Sequence, residues 1–301
     1  MTSGATQPRE GRPKPPSPTT KRVFSLAFVA IVAWAVFTID VRIERLSDMP
    51  AALANIFHRM FLRSGPEWSY LPDAVGYMIE SVQIAWLGTI IGAILSLPLG
   101  FFGAKNVSSG LISNIVRQLL NAIRAIPEIL VAVVVFIPMV GLGAYPGTLA
   151  IGVHSVGTLG KLSAEVIEGI DSGPVEAARA AGGRPLQIQR WGVLPQVLPE
   201  IVAFWLYRFE INIRASAILG AVGAGGVGEA LVQSLVFRRF DRAGMLIIVI
   251  VVVTILIDTA SGYLRRRIIE GGGRPSKGAA REQPELTVLR PGAQADAPGG
   301  P

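Results

Sequence analysis

Apolar residues in this chain fall in long runs, and polar residues collect between them. A bilayer core of about 30 Å takes about 20 apolar residues in helix. Six stretches approach that length: residues 23–39, 77–103, 126–142, 147–167, 197–222 and 244–264. Pro138 interrupts the third, and His154, Lys161 and Glu165 lie within the fourth. The pattern predicts an all-α, polytopic membrane protein with about six transmembrane helices.

The first stretch follows a basic segment, as the apolar part of a secretory signal would. No small-residue cleavage site directly follows it, and the nearest candidate, Ala52-Leu53-Ala54, lies too far downstream. A retained helix is expected. Within the long connector 40–76, residues 51–61 carry apolar positions at helical spacing, which predicts a helix lying in the interface with His58 on its polar face. Residues 1–22 contain Pro8, Pro13, Pro15, Pro16 and Pro18 among Ser, Thr, Lys and Arg. They read as a disordered basic cytoplasmic tail, and residues 266–301 read as a second one. The expected membrane domain is therefore 23–265.

Composition agrees: 50% of residues are hydrophobic, and the 16% that are charged fall well below the roughly 25% of globular proteins. The net charge of +7 and pI of 10.1 raise the question of nucleic acid as a partner. The basic residues flank the apolar runs and form no patch interleaved with aromatics, so the charge reads as topology and nucleic acid is not an expected partner. With the N-terminus inside, the cytoplasmic segments hold Lys105, Arg117, Arg124, Arg179, Arg184 and Arg190 besides the arginines and lysines of both tails. The outer segments hold only Arg42, Arg45, Arg59, Arg63, Arg238, Arg239 and Arg242. This bias predicts that both termini of the multi-pass protein lie in the cytoplasm, with a bacterial inner membrane as the expected location. The absence of cysteine excludes disulfides and thiolate chemistry, and two histidines cannot build a His-rich metal site in one chain.

The segment between the fourth and fifth spans, residues 172–200, reads SGPVEAARAAGGRPLQIQRWGVLPQVLPE. Gly173 can cap a helix, Pro174 suits its first position, and Glu176 then faces the positive end of the dipole. Ala177, Ala178, Ala180 and Ala181 make a slim two-turn helix, which Gly182 and Gly183 end by permitting left-handed backbone. Pro185 can open a second short helix, and Pro195 and Pro199 mark the start of the fifth span.

Glu176-Ala177-Ala178, Gly182 and Leu194-Pro195 together resemble the EAA coupling loop of ABC importer permeases, here spanning about 171–194. The family usually has isoleucine where this chain has Gly192, and Val193 is expected to supply the apolar side chain instead. Four strings narrow the resemblance to phosphonate-import permeases and their phosphite- and phosphate-carrying relatives. They are SVQIAWLGTIIGAILSLPLGFFGAKN (81–106), LLNAIRAIPEIL (119–130), GVLPQVLPE (192–200) and LYRFEINIRASAILGAVGAGGVG (206–228). The resemblance implies a type I ABC importer permease fold and a homodimer of permeases in the lipid bilayer. It also implies two separate ATPase subunits, which would hold ATP and magnesium, and an extracytoplasmic substrate-binding protein. No catalytic residue, metal site or cofactor is expected in this chain. The substrate class implied is a phosphonate or related oxyanion.

Arg208, Glu210, Asn212 and Arg214 sit in the otherwise apolar fifth span. A central charge costs about 2.5 to 3.5 kcal/mol on insertion scales, so each should face a partner or a cavity. Glu210 and Arg214 are four apart and are expected to pair, as are Lys161 and Glu165. These four residues of span five are also the candidate translocation path, since an arginine there would attract an oxyanion. His154 is expected to be a satisfied packing residue. The run 220–228 lacks the βαβ context and Lys-Ser or Lys-Thr of a nucleotide loop. Its small residues instead permit tight helix contact or a sharp reversal, making Gly223, Gly225, Gly226 and Gly228 a candidate gate.

The alternatives are a permease of another ABC importer, such as one for methionine, and an ion-coupled secondary transporter. The latter would need carboxylates at mid-membrane, where only Glu210 qualifies. An enzyme is disfavoured because no nucleophile elbow, HExxH, P-loop or Cys/His cluster is present.

Overall fold

The structure, a computed structural model, describes residues 18–38, 43–63 and 65–272. Every element among them is helical. In order they are α1 (Pro18–Thr38), α2 (Ile43–Phe57), α3 (Leu71–Gly103), α4 (Gly110–Ala125), α5 (Glu128–Val131) and α6 (Ile137–Val140). There follow α7 (Ala144–Glu168), α8 (Ser172–Ala180), α9 (Pro185–Ile188), α10 (Leu194–Gly220), α11 (Gly226–Val236) and α12 (Phe240–Gly272). Single π-helical stretches extend α2 (His58–Arg63), join α5 to α6 (Ala132–Phe136) and precede α10 (Gln189–Val193).

The six expected spans are all helical, but they are not equivalent. Residues 21–38, 68–103 and 240–269 lie in helices long and apolar enough to cross a membrane. The third span is short, Glu128–Val140, and runs through Pro138 without the expected interruption; the bend comes before it, where Gly110–Ala125 meets it at 84°. Pro127 explains the bend, because it removes an N–H and drives the preceding residue to extended backbone; Ile126 has φ −93° and ψ 121°. The helices α7 and α10 have spanning length, 25 and 27 residues, but carry the polar side chains that build the interior.

Two boundaries move. Helix α1 begins at Pro18, inside the stretch expected to be tail, and α12 continues to Gly272 instead of yielding to tail at 266. Pro18 suits a first helical turn, where its missing N–H costs nothing. The remaining tail residues, 1–17 and 273–301, lie outside the described residues. The interfacial helix expected at 51–61 lies within α2 and its π-helical extension, with His58 exposed.

Small residues set the central contact, between α3 and α7. A methyl added at Gly88 would meet the Ile151 side chain, at Gly92 Ser155, and at Gly100 Ser163. With no bulk at these positions the two backbones approach closely, as membrane helices do where lipid offers no hydrophobic driving force. Around this pair the buried apolar residues form three clusters along the bundle. Met78, Met245 and Leu246 mark one end, Ile84, Ile151 and Leu219 the middle, and Ile167, Val193, Val197 and Ile201 the end bearing α8. By contrast α1 buries none of its apolar window. A helix apolar all round and unburied matches a lipid surrounding.

Candidate functional site

At one end of the bundle the α8 helix projects from the α7–α10 connection. Its start lies earlier than the sequence implied: Asp171, and not Gly173, is the cap, its carboxylate accepting from the Gly173 N–H at 2.9 Å. Pro174 and Glu176 consequently lie further inside the helix. The end is as expected. Gly182 has φ +76°, its N–H donates to the Arg179 carbonyl, and that of Gly183 donates to Ala178, both at 3.0 Å. These two bonds make a Schellman cap, which needs the left-handed residue that glycine provides. Pro185 opens α9 as expected.

The α8 helix is held from below by backbone approach. Gly192 is buried, and a methyl there would lie 3.2 Å from the Val175 Cα and 3.3 Å from the Pro174 carbonyl oxygen. The glycine standing at the isoleucine position therefore lets α8 rest on the π-helical turn, while Val193, 3% exposed, fills the apolar cluster below. Gln196 ties Asp171 to α10 through its side-chain amide. Glu168 accepts from the Lys105 N–H and pairs with Arg117, joining the end of α7 to the α3–α4 connection. The outcome is a rigid mount with an exposed face: Glu176, Ala177, Gly182 and Pro195 are exposed, and Ala178 and Leu194 half-buried. A cleft of about 550 Å³ runs beneath, lined by Glu168, Ser172, Glu176, Arg179, Gln189 and Val193 among others.

Midway along the bundle the four polar residues of α10 separate. Glu210 and Arg214 do not pair with each other. Arg214 donates to Asp258 at 2.9 Å, and Glu210 sits 3.5 Å from Arg265. Both partners lie on α12, because α10 packs along α12 on that side and longer arms reach across. Arg208 and Asn212 point the other way. The guanidinium of Arg208 donates to Ser155 Oγ at 3.1 Å, to Glu128 Oε2 at 3.3 Å and to His154 Nδ1 at 2.6 Å. A guanidinium has only donors, so Nδ1 must accept, and the imidazole carries its proton elsewhere. Asn212 donates to Thr89 at 2.8 Å and shares Ser155 at 3.1 Å.

This network joins α3, α5, α7 and α10. His154 is satisfied within it, as expected, and Lys161 and Glu165 form the expected pair at 4.0 Å. Glu128 is the member that reading by spans passed over. An acid just after Pro127 in an apolar stretch was the available signal, since intramembrane carboxylates demand a partner. Asp258 was equally legible as a charge and unassigned, and Arg265 was read only as a cytoplasmic charge at the end of the last span. Beside the network lies a pocket of about 270 Å³, lined by Pro127, Glu128, Ile129, His154, Ala215 and Ile218 with Leu219.

At the far end the glycine run forms the reversal between α10 and α11. Gly223, Gly225 and Gly226 all have positive φ, between 71° and 91°. Gly228 is excluded from bearing a side chain for another reason: a methyl would strike the Ala217 carbonyl. The reversal is wedged between helices, with the Gly223 carbonyl accepting from Gly143 at 2.9 Å and the Val227 N–H donating to Ser81 at 2.9 Å. Chain reversal and close contact are thus both present.

A family model described as the binding-protein-dependent transport system inner membrane component matches residues 96–270. The chain is 42% identical over 202 residues to the phosphite transport system permease protein PtxC of Stutzerimonas stutzeri, covering 65% of this chain and 73% of that one. It is 42% identical over 191 residues to the phosphate-import permease protein PhnE of Mycolicibacterium smegmatis, covering 63% and 36%. Among solved structures, a chain from inward-facing crystals of the MetNI methionine ABC transporter aligns with a TM-score of 0.59 and 24% identity. That alignment covers 67% of this chain and 99% of the other, and the likeness is one of fold. With the family model spanning more than half the chain, this protein belongs to the inner membrane components of binding-protein-dependent transport systems.

Proposed function

We propose that this chain is one permease of an ATP-driven importer for a phosphorus oxyanion: a phosphonate, phosphite or phosphate. The observation that carries the reading is the mount of α8. A short helix with an alanine face, capped at both ends and exposed at the end of the bundle, is built to enter a cleft in a partner. That partner is a separate ATPase, one on each permease of a homodimer, holding ATP and magnesium. Both termini then lie with α8 in the cytoplasm, and a binding protein delivers substrate to the opposite face. The substrate class follows the names of the relatives, and the chemistry of span five is compatible with it.

Arg208 is the path residue of the four in α10. It is positioned by Glu128, His154 and Ser155 beside a pocket, and a guanidinium so placed attracts an oxyanion. Glu210 and Arg214, bound to α12, tie helices together, and Asn212 orients Ser155. The glycine reversal at 223–228 serves as the outer gate.

Reconstitution decides the matter. In proteoliposomes with its ATPase and binding protein, uptake of a phosphorus oxyanion should require ATP, and the permease alone should be inert. Uptake by the permease alone under a proton or sodium gradient would overturn the reading, and ATP-driven uptake of methionine in place of the oxyanions would overturn the substrate.

A further inference from the structure

Three arginines that neither the coupling mount nor the α10 network uses converge at the end of the bundle opposite α8. Arg59 and Arg63 project from the π-helical turn His58–Arg63, and Arg238 from the connection between α11 and α12. Together with Phe240 and Asp241 they line one cavity of about 360 Å³, within the range of small-ligand sites. Asp241 is the one acid among these lining residues. The neighbouring carboxylate, Glu67, is occupied by Arg242 at 2.8 Å and by Ser69, so it offers the cavity little compensation.

Two features show that the convergence is held in place. A methyl at Gly244 would lie 2.8 Å from the Met60 carbonyl, so the π-helical turn is pressed onto α12, and the Arg59 guanidinium lies 5.7 Å from the centre of the Phe240 ring. More telling is Arg238. It has φ +57°, the one positive φ outside glycine among the described residues. Its N–H donates to Leu235 and that of Arg239 to Ser234, so Arg238 occupies the left-handed position of a Schellman cap. Glycine fills that position without strain. A long basic side chain kept there against the backbone preference points to use of the side chain.

We propose that Arg59, Arg63 and Arg238 form a binding site for a phosphoryl-type oxyanion at this end of the permease. Guanidinium forks match tetrahedral oxyanions through paired hydrogen bonds, and three of them around one small cavity can hold a dianion without a metal. The anion comes either from free substrate or from a phospholipid headgroup, and the test separates the two.

The full-length permease is placed in nanodiscs without ATPase or binding protein, so the result does not depend on the transport reading. In phosphatidylcholine discs, inorganic phosphate is titrated and followed by phosphorus NMR. In discs containing phosphatidylglycerol, lipid retained by the permease is measured by native mass spectrometry. The triple variant Arg59→Gln, Arg63→Gln, Arg238→Gly should lose about tenfold or more in phosphate affinity if the source is free anion. If the source is a headgroup, it should instead lose retained phosphatidylglycerol. Arg238→Gly alone should raise the thermal midpoint while weakening binding, which separates it from a misfolded variant. Equal binding of both probes by the wild type and the triple variant, or binding of neither probe by the wild type, overturns the proposal.

Discussion

The α8 mount and the Arg208 network are held by opposite means. The mount relies on groups bound to the main chain: the Asp171 and Gln196 side chains on backbone, a Schellman cap, and glycine at the contact beneath, with the helix face left exposed. The network relies on side chains from four helices, with Arg208 and Asn212 buried and Glu128 and His154 half-buried at a pocket. Damage to the first should therefore stay local, and damage to the second should spread. A buried ion that loses its partner is left uncompensated, whereas a lost cap is replaced by water.

The largest effect tests the network. Arg208→Met leaves the half-buried Glu128 carboxylate without its 3.3 Å partner, at a cost of about 2 to 3 kcal/mol, less than for a fully buried pair. Thermal unfolding in nanodiscs should show that loss, and Arg208→Met with Glu128→Gln should recover most of it. No recovery would mean that the two groups do not act as a pair. A smaller effect tests the mount. Gly182→Val forces a β-branched residue into φ +76°, at about 1 to 2 kcal/mol locally. ATPase stimulation by the permease should fall while the unfolding midpoint stays near wild type; a large fall in midpoint would erase the contrast drawn between the two regions.

The smallest effect lies at the opposite end, where Glu67 is bridged to Arg242. The hydrogen bond from Arg242 holds the Glu67 carboxyl below the ordinary carboxylate range. A depressed folded pKa stabilises above the unfolded value and is lost as pH falls through the folded one. Wild type should thus lose a small increment of stability below about pH 4 that Arg242→Gln lacks. An identical acid limb in both proteins would show that the bridge is silent.

Much of the fold was legible in sequence because each span is a composition signal and each cap a local one. Gly182, Gly183 and Pro185 act within a few residues of themselves, so the end of α8 was readable. Its start was misplaced because Asp171, Gly173 and Pro174 are all competent near a helix N-terminus, and only backbone geometry chooses between them. The span-five charges show where sequence reasoning stops. Spacing of four residues makes Glu210 and Arg214 neighbours on a helix, yet Asp258 and Arg265 on α12 claimed them.

What the sequence determined by itself was an all-helical membrane protein, the short capped helix between the fourth and fifth spans, and the need of every intramembrane charge for a partner. Length, hydropathy and glycine or proline chemistry act along the chain, and a residue carries them wherever it is. Only the tertiary structure decided which partner each charge took, that Glu128 and His154 join Arg208, and that Arg59, Arg63 and Arg238 share one cavity. Those depend on the crossing of helices far apart in sequence, fixed by the close approach of α3 and α7 at Gly88, Gly92 and Gly100. Small residues set how near two helices come, and that nearness decides which polar groups can reach each other.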